Sequence, residues 1–329
     1  MKRRDFLNSG MAAGIAVGTV PSVMAMDNKK SRSPNDKVRL GIIGLGGRGT
    51  VLLKDILNLS GVEISALCDI VEENLIKAQD LVMQSGQPRP AGYGDDHYSY
   101  LEMLEKEDLD GTVIATSWEW HLPISIDCMK AGVYSAFEVG PASSVNQCWR
   151  LVRTYEETGV PCMLLENYCY FRENMMVLNM VRQGLFGELI HCKCGYGHDL
   201  RKRLVLGKGT GPNPLSNSNS VAKGEGDYRS MHNQYREGEL YPTHGIGPVA
   251  QFLGIQRGNR FSYLTSTATK VRGLGKWSEE NLPPGHPRRE INWKQGDIVT
   301  TTIKCQNGES VVITFDTRLP RPTSLMYLI

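Results

Sequence analysis

The stretch VRLGIIGLGGRGT, Val38 to Thr50, decides the fold. Arg39 to Ile43 reads as a short buried strand and Thr50 to Leu59 as an amphipathic helix, and between them Gly44, Gly46 and Gly49 make the pattern G-x-G-x-x-G. Glycines at this spacing permit a tight turn and close backbone approach, and the free N–H groups of the following helix favour an anion at its N-terminus. The next strand, Val62 to Cys68, ends in Asp69, twenty residues past Gly49. A carboxylate at that place accepts ribose hydroxyls and repels a 2′-phosphate. Strand, glycines, helix, strand and acid in this order predict a dinucleotide cradle for NAD rather than NADP, with nearby Arg48 as the feature that speaks for a 2′-phosphate.

The alternation continues with strands at Asp110 to Thr116, Val133 to Val139 and Val160 to Glu166, separated by helices at Leu122 to Ala131 and Ser143 to Thr158. Apolar strands alternating with helices predict a doubly wound parallel sheet of the Rossmann kind over residues 38–166. From Ile190 the pattern changes to strand-like runs at Ile190 to Tyr196, Phe261 to Thr269, Ile298 to Cys305 and Ser310 to Asp316, the last two joined by the hairpin signal Gln306-Asn307-Gly308-Glu309. The reading is therefore α/β, with an N-terminal Rossmann sheet followed by an α+β substrate domain, 167–329, built on an open, mostly antiparallel sheet. Between its first two strands, Gly197 to Gly258 is polar and rich in Gly, Asn, Ser, His and Tyr, and reads as a long functional or disordered loop.

Composition narrows the function. With 329 residues, 40% of them hydrophobic, and a net charge of +2, the chain can bury two cores and has no basic stripe of the kind nucleic acid requires. Arg201, Lys202 and Arg203 read as a solvated face. The eight cysteines lack framework spacing and read mostly as small core residues; Cys192 and Cys194, two apart on a strand, face one way and would also suit a metal or redox pair. No HExxH or paired cysteine-histidine spacing supports a metal. At the N-terminus Lys2, Arg3 and Arg4, then Phe6 and Leu7, precede an apolar run from Met11 to Val20 and an A-x-A-like site at Val23-Met24-Ala25. This predicts a twin-arginine signal over 1–25, a linker over 26–37, and passage through the twin-arginine export machinery to the periplasm already folded, with cofactor in place. The apolar run is well short of the ~20 residues that a membrane span needs.

The order of elements resembles the Gfo/Idh/MocA oxidoreductases over Val38 to about Leu319. In that superfamily the strand ending near residue 138 usually carries Glu-Lys-Pro, whose lysine assists hydride transfer; here the stretch is Phe137-Glu138-Val139-Gly140-Pro141, and valine moves no proton. TSWEWH (Thr116 to His121), EVGPA (Glu138 to Ala142), ENYCYFREN (Glu166 to Asn174), CGYGHDLR (Cys194 to Arg201) and LYPTHGIGP (Leu240 to Pro248) together resemble the NAD-dependent glycosidases of family 109, typified by α-N-acetylgalactosaminidases. The resemblance implies NAD contacts at Gly47, Arg48, Asp69, Trp118, Glu119, Trp120, His121, Glu138, Val139 and Asn167, and sugar contacts at Tyr196, Arg229, Tyr241, Pro242, Thr243 and His244. It further implies a glycan substrate ending in N-acetylgalactosamine, and a tightly held NAD that takes a hydride from carbon 3 and returns it after elimination and water addition. Such a cycle needs no free NAD pool outside the cytoplasm.

That reaction requires a base for the carbon-3 hydroxyl, a base for the carbon-2 proton and a proton for the leaving oxygen. His244 is the first choice for the hydroxyl, because an imidazole titrates near working pH. Tyr241 and Tyr196 would bind sugar, or relay protons if a cation lowers their pKa, or simply fill the core. Tyr168 is the weaker candidate for the second base. Arg229 would hold a sugar hydroxyl or the acetamido oxygen. Trp118 and Trp120 either wall the nicotinamide or fill the sheet edge. A periplasmic NAD-linked sugar oxidoreductase and an inactive cofactor-binding fragment are the competing readings. Family members continue past LPRP, with a tyrosine where Thr323 stands; the expectation is therefore an incomplete substrate domain whose Leu325, Met326, Tyr327, Leu328 and Ile329 need a partner, prone to associate with other copies.

Overall fold

The computed structural model describes residues 37–140, 142, 144–207 and 225–329. The segment expected to be a twin-arginine signal, with its expected cleavage site, lies outside the described residues. The first half runs β1 (Val38–Ile43), α1 (Gly47–Leu57), β2 (Val62–Cys68), α2 (Glu72–Gln84), β3 (Ala91–Tyr93), α3 (Ser99–Lys106), β4 (Gly111–Ile114), α4 (Trp118–Lys130), β5 (Tyr134–Phe137), α5 (Val145–Thr158) and β6 (Cys162–Leu164). All six strands are parallel, in the order β3-β2-β1-β4-β5-β6. The order reverses between β1 and β4, so a crevice opens beyond their carboxyl ends. α2, β3 and α3 add to the elements read from the sequence.

Adjacent residues of a strand point to opposite faces, and both faces of this sheet are buried. Ile42 packs with Leu53, Ile64, Leu67 and Val113 on one side. Ile43 packs with Cys68, Ile114, Ile124 and Phe137 on the other. Two helices begin earlier than the sequence suggests. α1 takes in Gly47 and Gly49, because a β-carbon at Gly49 would lie 1.9 Å from the carbonyl oxygen of Gly44; only glycine lets the helix sit so close to the turn that feeds it. α4 begins at Trp118, ahead of Pro123, since Trp118 and His121 are buried and tertiary packing outweighs the proline as a start signal.

The second half contains a 3-10 turn (Asn167–Tyr170), α6 (Arg172–Arg182), β7 (His191–Gly197), α7 (Arg201–Leu206), α8 (Glu225–Tyr235), α9 (Thr243–Phe252), β8 (Phe261–Ala268), α10 (Gly273–Asn281), a further 3-10 turn (Pro287–Arg289), β9 (Ile298–Cys305) and β10 (Ser310–Asp316). Its sheet has the order β7-β10-β9-β8, antiparallel except for the parallel pair β7 and β10. The hairpin from β9 to β10 closes at Gly308, φ +111°, where Cys305 N–H donates to Glu309 O at 2.9 Å.

The polar segment from Gly197 to Gly258 is not one long loop. Within it α7, α8 and α9 are regular helices, and Arg201, Lys202 and Arg203 form the first turn of α7 rather than a loop. Periodicity misses α8 because its buried face is polar: Arg229, Ser230, His232 and Asn233 are all buried. Asn233 is held from both sides, donating to Arg229 O at 2.8 Å and accepting from the fully buried Arg318 at 2.9 Å. All eight cysteines are free thiols, and Cys192 and Cys194 on β7 are buried among Val249, Val311 and Ile313.

The terminal residues do find partners. Lys193 and Leu328 exchange backbone hydrogen bonds at 2.8 and 3.0 Å, and Gly197 and Ser324 do so at 2.9 and 2.8 Å, so residues 324–328 lie antiparallel along the edge of β7. Tyr327 and Ile329 pack on the same core as Cys192 and Cys194. Among the described residues, the other edge of this sheet, β8, has no strand beyond it, and Tyr263 and Leu264 on it are exposed.

The Gly49 contact generates a paired prediction. Gly49→Ala should lower the stability of nucleotide-free protein in denaturant unfolding by about 2 kcal/mol or more, because a rigid carbonyl must move. Gly47→Ala, whose β-carbon would meet nothing within 4 Å, should leave stability unchanged. Equal effects of the two would contradict the close approach of helix and turn.

Candidate functional site

One cleft of about 770 Å³ opens over the carboxyl ends of β1, β2, β4 and β5 and runs to Tyr196 on β7, to α8 and to α9. At one end Gly44, Gly46 and Gly47 turn the chain into α1, whose first turn has neither a side-chain cap nor an acidic residue. Unfilled N–H groups at a helix start are an anion site. Asp69 closes this end: its carboxylate accepts Leu45 N–H at 2.5 Å and Val71 N–H at 2.7 Å, which ties the glycine turn to the entry of α2. Arg48 Nε donates to Glu138 at 2.7 Å, across the switch point. Trp120 stacks on His97, centroids 5.5 Å apart and nearly coplanar in orientation, at the nucleotide end. His121 is buried, with Nε2 3.0 Å from Thr116 O, and burial pushes its pKa down to about 4, so the ring is neutral at working pH.

At the other end the aromatic rings gather around His244. Tyr168, Tyr241 and Tyr196 lie with centroids 4.4, 4.9 and 5.5 Å from its ring. Trp118 joins the two ends, packed on Tyr228, His232 and Tyr241, and the Arg229 guanidinium lies 4.5 Å from the Tyr241 ring and 5.1 Å from Trp118. Trp118 has this place because Gly140, φ +85°, lies beside it: a β-carbon there would come within 2.5 Å of the indole. Glu166 adds a contact that the sequence reading did not assign. Its oxygens lie 2.8 and 3.0 Å from His244 Nδ1, and it also accepts Tyr168 N–H at 3.0 Å.

Of the residues singled out from the sequence, the cleft gathers Gly44, Gly46, Gly47, Arg48, Asp69, Trp118, Glu119, Trp120, His121, Glu138, Val139, Asn167, Tyr168, Tyr196, Arg229, Tyr241 and His244. Three are not on its wall. Gly49 lies beneath the turn, and Pro242 and Thr243 start α9, where the Pro242 carbonyl accepts Gly245 and Ile246 N–H at 3.1 and 2.9 Å. Tyr228 and Arg203 line the cleft without a signal that picks them out. Glu166 could have been found as an acid at the carboxyl end of a parallel strand.

Two family models meet on this chain: an NAD-binding Rossmann fold of the oxidoreductase family matches residues 38–166, and the glycosyl hydrolase 109 C-terminal domain matches 170–329. A glycosyl hydrolase family 109 protein of Stenotrophomonas maltophilia is 43% identical over 99% of this chain and 71% of its own length. The chain belongs to glycosyl hydrolase family 109. An alpha-N-acetylgalactosaminidase of Tannerella forsythia is 41% identical over 99% of this chain and 74% of its own. Among solved structures, scyllo-inositol dehydrogenase of Lactobacillus casei with bound NAD(H) and scyllo-inositol has a TM-score of 0.63 at 11% identity, covering 88% of this chain and 72% of that one, which shows a shared fold.

This family 109 enzyme therefore binds NAD on the first sheet. Where the dehydrogenase pattern expects a lysine, Val139 is buried among Trp118, Leu240, Tyr241 and Phe315 and offers no proton. The condition under which Tyr241 would relay protons, a cation that lowers its pKa, is not met. Arg229 is beside Tyr241, but burial outweighs it and raises the phenol well above its ordinary value. Tyr168 is also raised, by burial first and then by Tyr196 and Glu166. Both hydroxyls stay protonated at working pH, as hydrogen-bond donors rather than bases. Among the described residues no group of three or more His, Cys, Asp or Glu side chains is placed to hold a metal ion.

Behind Tyr241, Glu239 accepts its N–H at 3.0 Å, and burial raises the carboxyl pKa to about 7 against the pull of Arg318. An unfolded chain releases that proton near 4.5, so the folded state binds it more tightly. The stability it carries is full below the unfolded value and is lost as pH rises through about 7. Glu239→Gln, neutral throughout, should melt a few degrees higher than the parent at pH ~8 and level with it at pH ~4. A melting difference that does not change with pH would contradict the assignment.

Proposed function

We propose that this chain hydrolyses glycans ending in α-linked N-acetylgalactosamine, by a redox-neutral route that uses NAD held in the cleft. The observation that carries the reading is the separation of roles within one cleft: an anion-ready glycine turn with Asp69 at one end, and His244 on Glu166 at the other, with Val139 where a dehydrogenase would place its lysine. The cradle fits the nucleotide. Gly46 and Gly47 have no neighbour within 4 Å of where a β-carbon would stand, and Asp69 faces the ribose position of the motif. Asp69 together with the Arg48–Glu138 pair speaks for NAD over NADP.

Bound NAD supplies a reversible hydride acceptor for carbon 3 of the sugar. His244 Nε2 would take the proton of the carbon-3 hydroxyl, because Nδ1 is committed to Glu166. Ketone formation acidifies the hydrogen on carbon 2, which passes as a proton to water; the electron pair left behind expels the group on carbon 1, and water then adds to the enone at carbon 1 while carbon 2 takes a proton back from solvent. Tyr168 and Tyr241, protonated, hold sugar oxygens and donate toward the leaving oxygen, and Arg229 holds the acetamido oxygen. Tyr196 completes the sugar end as a proposed contact, Pro242 and Thr243 by starting the helix that carries His244, and Trp118, Glu119, Trp120, His121, Glu138 and Asn167 complete the nucleotide end.

Residues 1–25 are proposed to export the folded protein through the twin-arginine machinery to the periplasm, NAD already bound. A cofactor restored in every cycle suits a compartment that does not replenish it.

The test uses purified enzyme with no added nucleotide. Denaturation should release NAD, and native protein should liberate p-nitrophenol from p-nitrophenyl α-N-acetylgalactosaminide without accumulating NADH absorbance. His244→Ala should keep its NAD and lose turnover by on the order of 10² or more. NADH that accumulates with sugar oxidation would favour a sugar oxidoreductase instead, and full activity of His244→Ala would remove the histidine from the mechanism.

A further inference from the structure

We infer that Glu166 is the positioning residue of His244, fixing its ring proton on Nδ1 so that Nε2 is the basic atom presented to the cleft. The catalytic consequence rests on the proposed glycosidase function; the structural one does not. Three observations carry the inference. Both carboxylate oxygens lie within 3.0 Å of Nδ1, and both partners are buried, Glu166 to 5% exposure and His244 to 9%. An ionised carboxylate can only accept, so the nitrogen facing it must carry the hydrogen. Glu166 itself is held, accepting Tyr168 N–H at 3.0 Å at the start of the 3-10 turn, so it cannot swing away without leaving a backbone donor unpaired.

The glycines of Thr243-His244-Gly245-Ile246-Gly247-Pro248 are shaped for this contact. A β-carbon at Gly247 would lie 2.8 Å from Glu166 Cγ and 3.1 Å from Cys169 Sγ, so the side chain reaches His244 through space that only glycine leaves. A β-carbon at Gly245 would lie 2.9 Å from Gly195 N, so α9 can press its first turn against β7. Pro248 has no N–H to offer the His244 carbonyl four residues back. The hydroxyl of Tyr327 donates to that carbonyl instead. The ring and the backbone of His244 are thus each held by a contact from outside α9, and the ring contact sets its tautomer.

The experiment compares parent enzyme with Glu166→Gln and Glu166→Met, using His244→Ala to assign the ring nitrogens of His244 in ¹⁵N spectra of histidine-labelled protein. The parent should show the Nδ1–H form. Glu166→Met, of similar length and without an acceptor, should lose it. Glu166→Gln keeps an acceptor for Tyr168 N–H and serves if the methionine variant does not fold; its ring signals should become mixed. Both variants should retain NAD and hold KM within threefold, while kcat falls on the order of 10². An unchanged Nδ1–H spectrum in a folded variant overturns the proposal, as does a loss confined to KM or to NAD retention. The spectra need no sugar, so a parent enzyme that turned over no glycoside would sink the proposed function and leave the assignment of Glu166 to be decided by the ring nitrogens.

Discussion

Backbone meets backbone at two glycines, and both ends of the cleft depend on those contacts. At Gly49, helix α1 comes so near the Gly44 carbonyl that a β-carbon would stand 1.9 Å from it, and this closeness aims the unfilled helix start at the crevice. At Gly245, a β-carbon would stand 2.9 Å from the Gly195 nitrogen of β7, and this close packing of α9 sets His244 among Tyr168, Tyr196 and Tyr241. Neither contact is strong in itself. Each removes a degree of freedom that would otherwise let a helix, and the groups on its first turn, drift by more than a hydrogen bond tolerates.

The path from cradle to sugar end is bridged by side chains that bond across elements. Arg48 on α1 reaches Glu138 past β5, and Glu166 past β6 reaches His244 on α9. Trp118 fills the space between, with Gly140 on one side and the α8 face of Tyr228 and His232 on the other. The buried polar face of α8 is itself braced by Asn233 and Arg318, so the wall carrying Arg229 rests on hydrogen bonds where an apolar stripe would normally serve.

How legible this was in the sequence follows from which forces write themselves into pattern. The first sheet was readable because parallel strands buried on both faces are apolar runs, and Gly44, Gly46, Gly49 and Asp69 sit at spacings that one ligand imposes. β9 and β10 were readable to the residue, since alternation and the Asn307-Gly308 turn agree. The start of α4 was missed because Pro123 imitates a first-turn residue, and α8 was missed because a buried polar face has no hydropathy period. The cleft residues carried by motifs were brought together; Glu166 was quoted within a motif but given no role, because its partner His244 is 78 residues away and only the fold brings them to 2.8 Å. Pro242 and Thr243 belonged to a motif yet start a helix, so their place in it is explained by α9 rather than by the cleft wall.

The chemistry turns on what the site lacks and what it substitutes. Val139 stands in an apolar cluster at the position of a dehydrogenase lysine, and the buried phenols of Tyr168 and Tyr241 hold their protons, so the proposed route gives the carbon-3 proton to His244. A glycosidase with two carboxylates flanking the scissile bond would work by protonation and direct displacement. Oxidation at carbon 3 followed by elimination and water addition requires instead that the carbon-2 hydrogen of the sugar leave and return. The most direct measurement is therefore the mass of N-acetylgalactosamine released in D₂O, after exchange of its hydroxyl hydrogens back to protium: one deuterium retained at carbon 2 is the result that this route predicts, and product with carbon 2 fully protiated would contradict it.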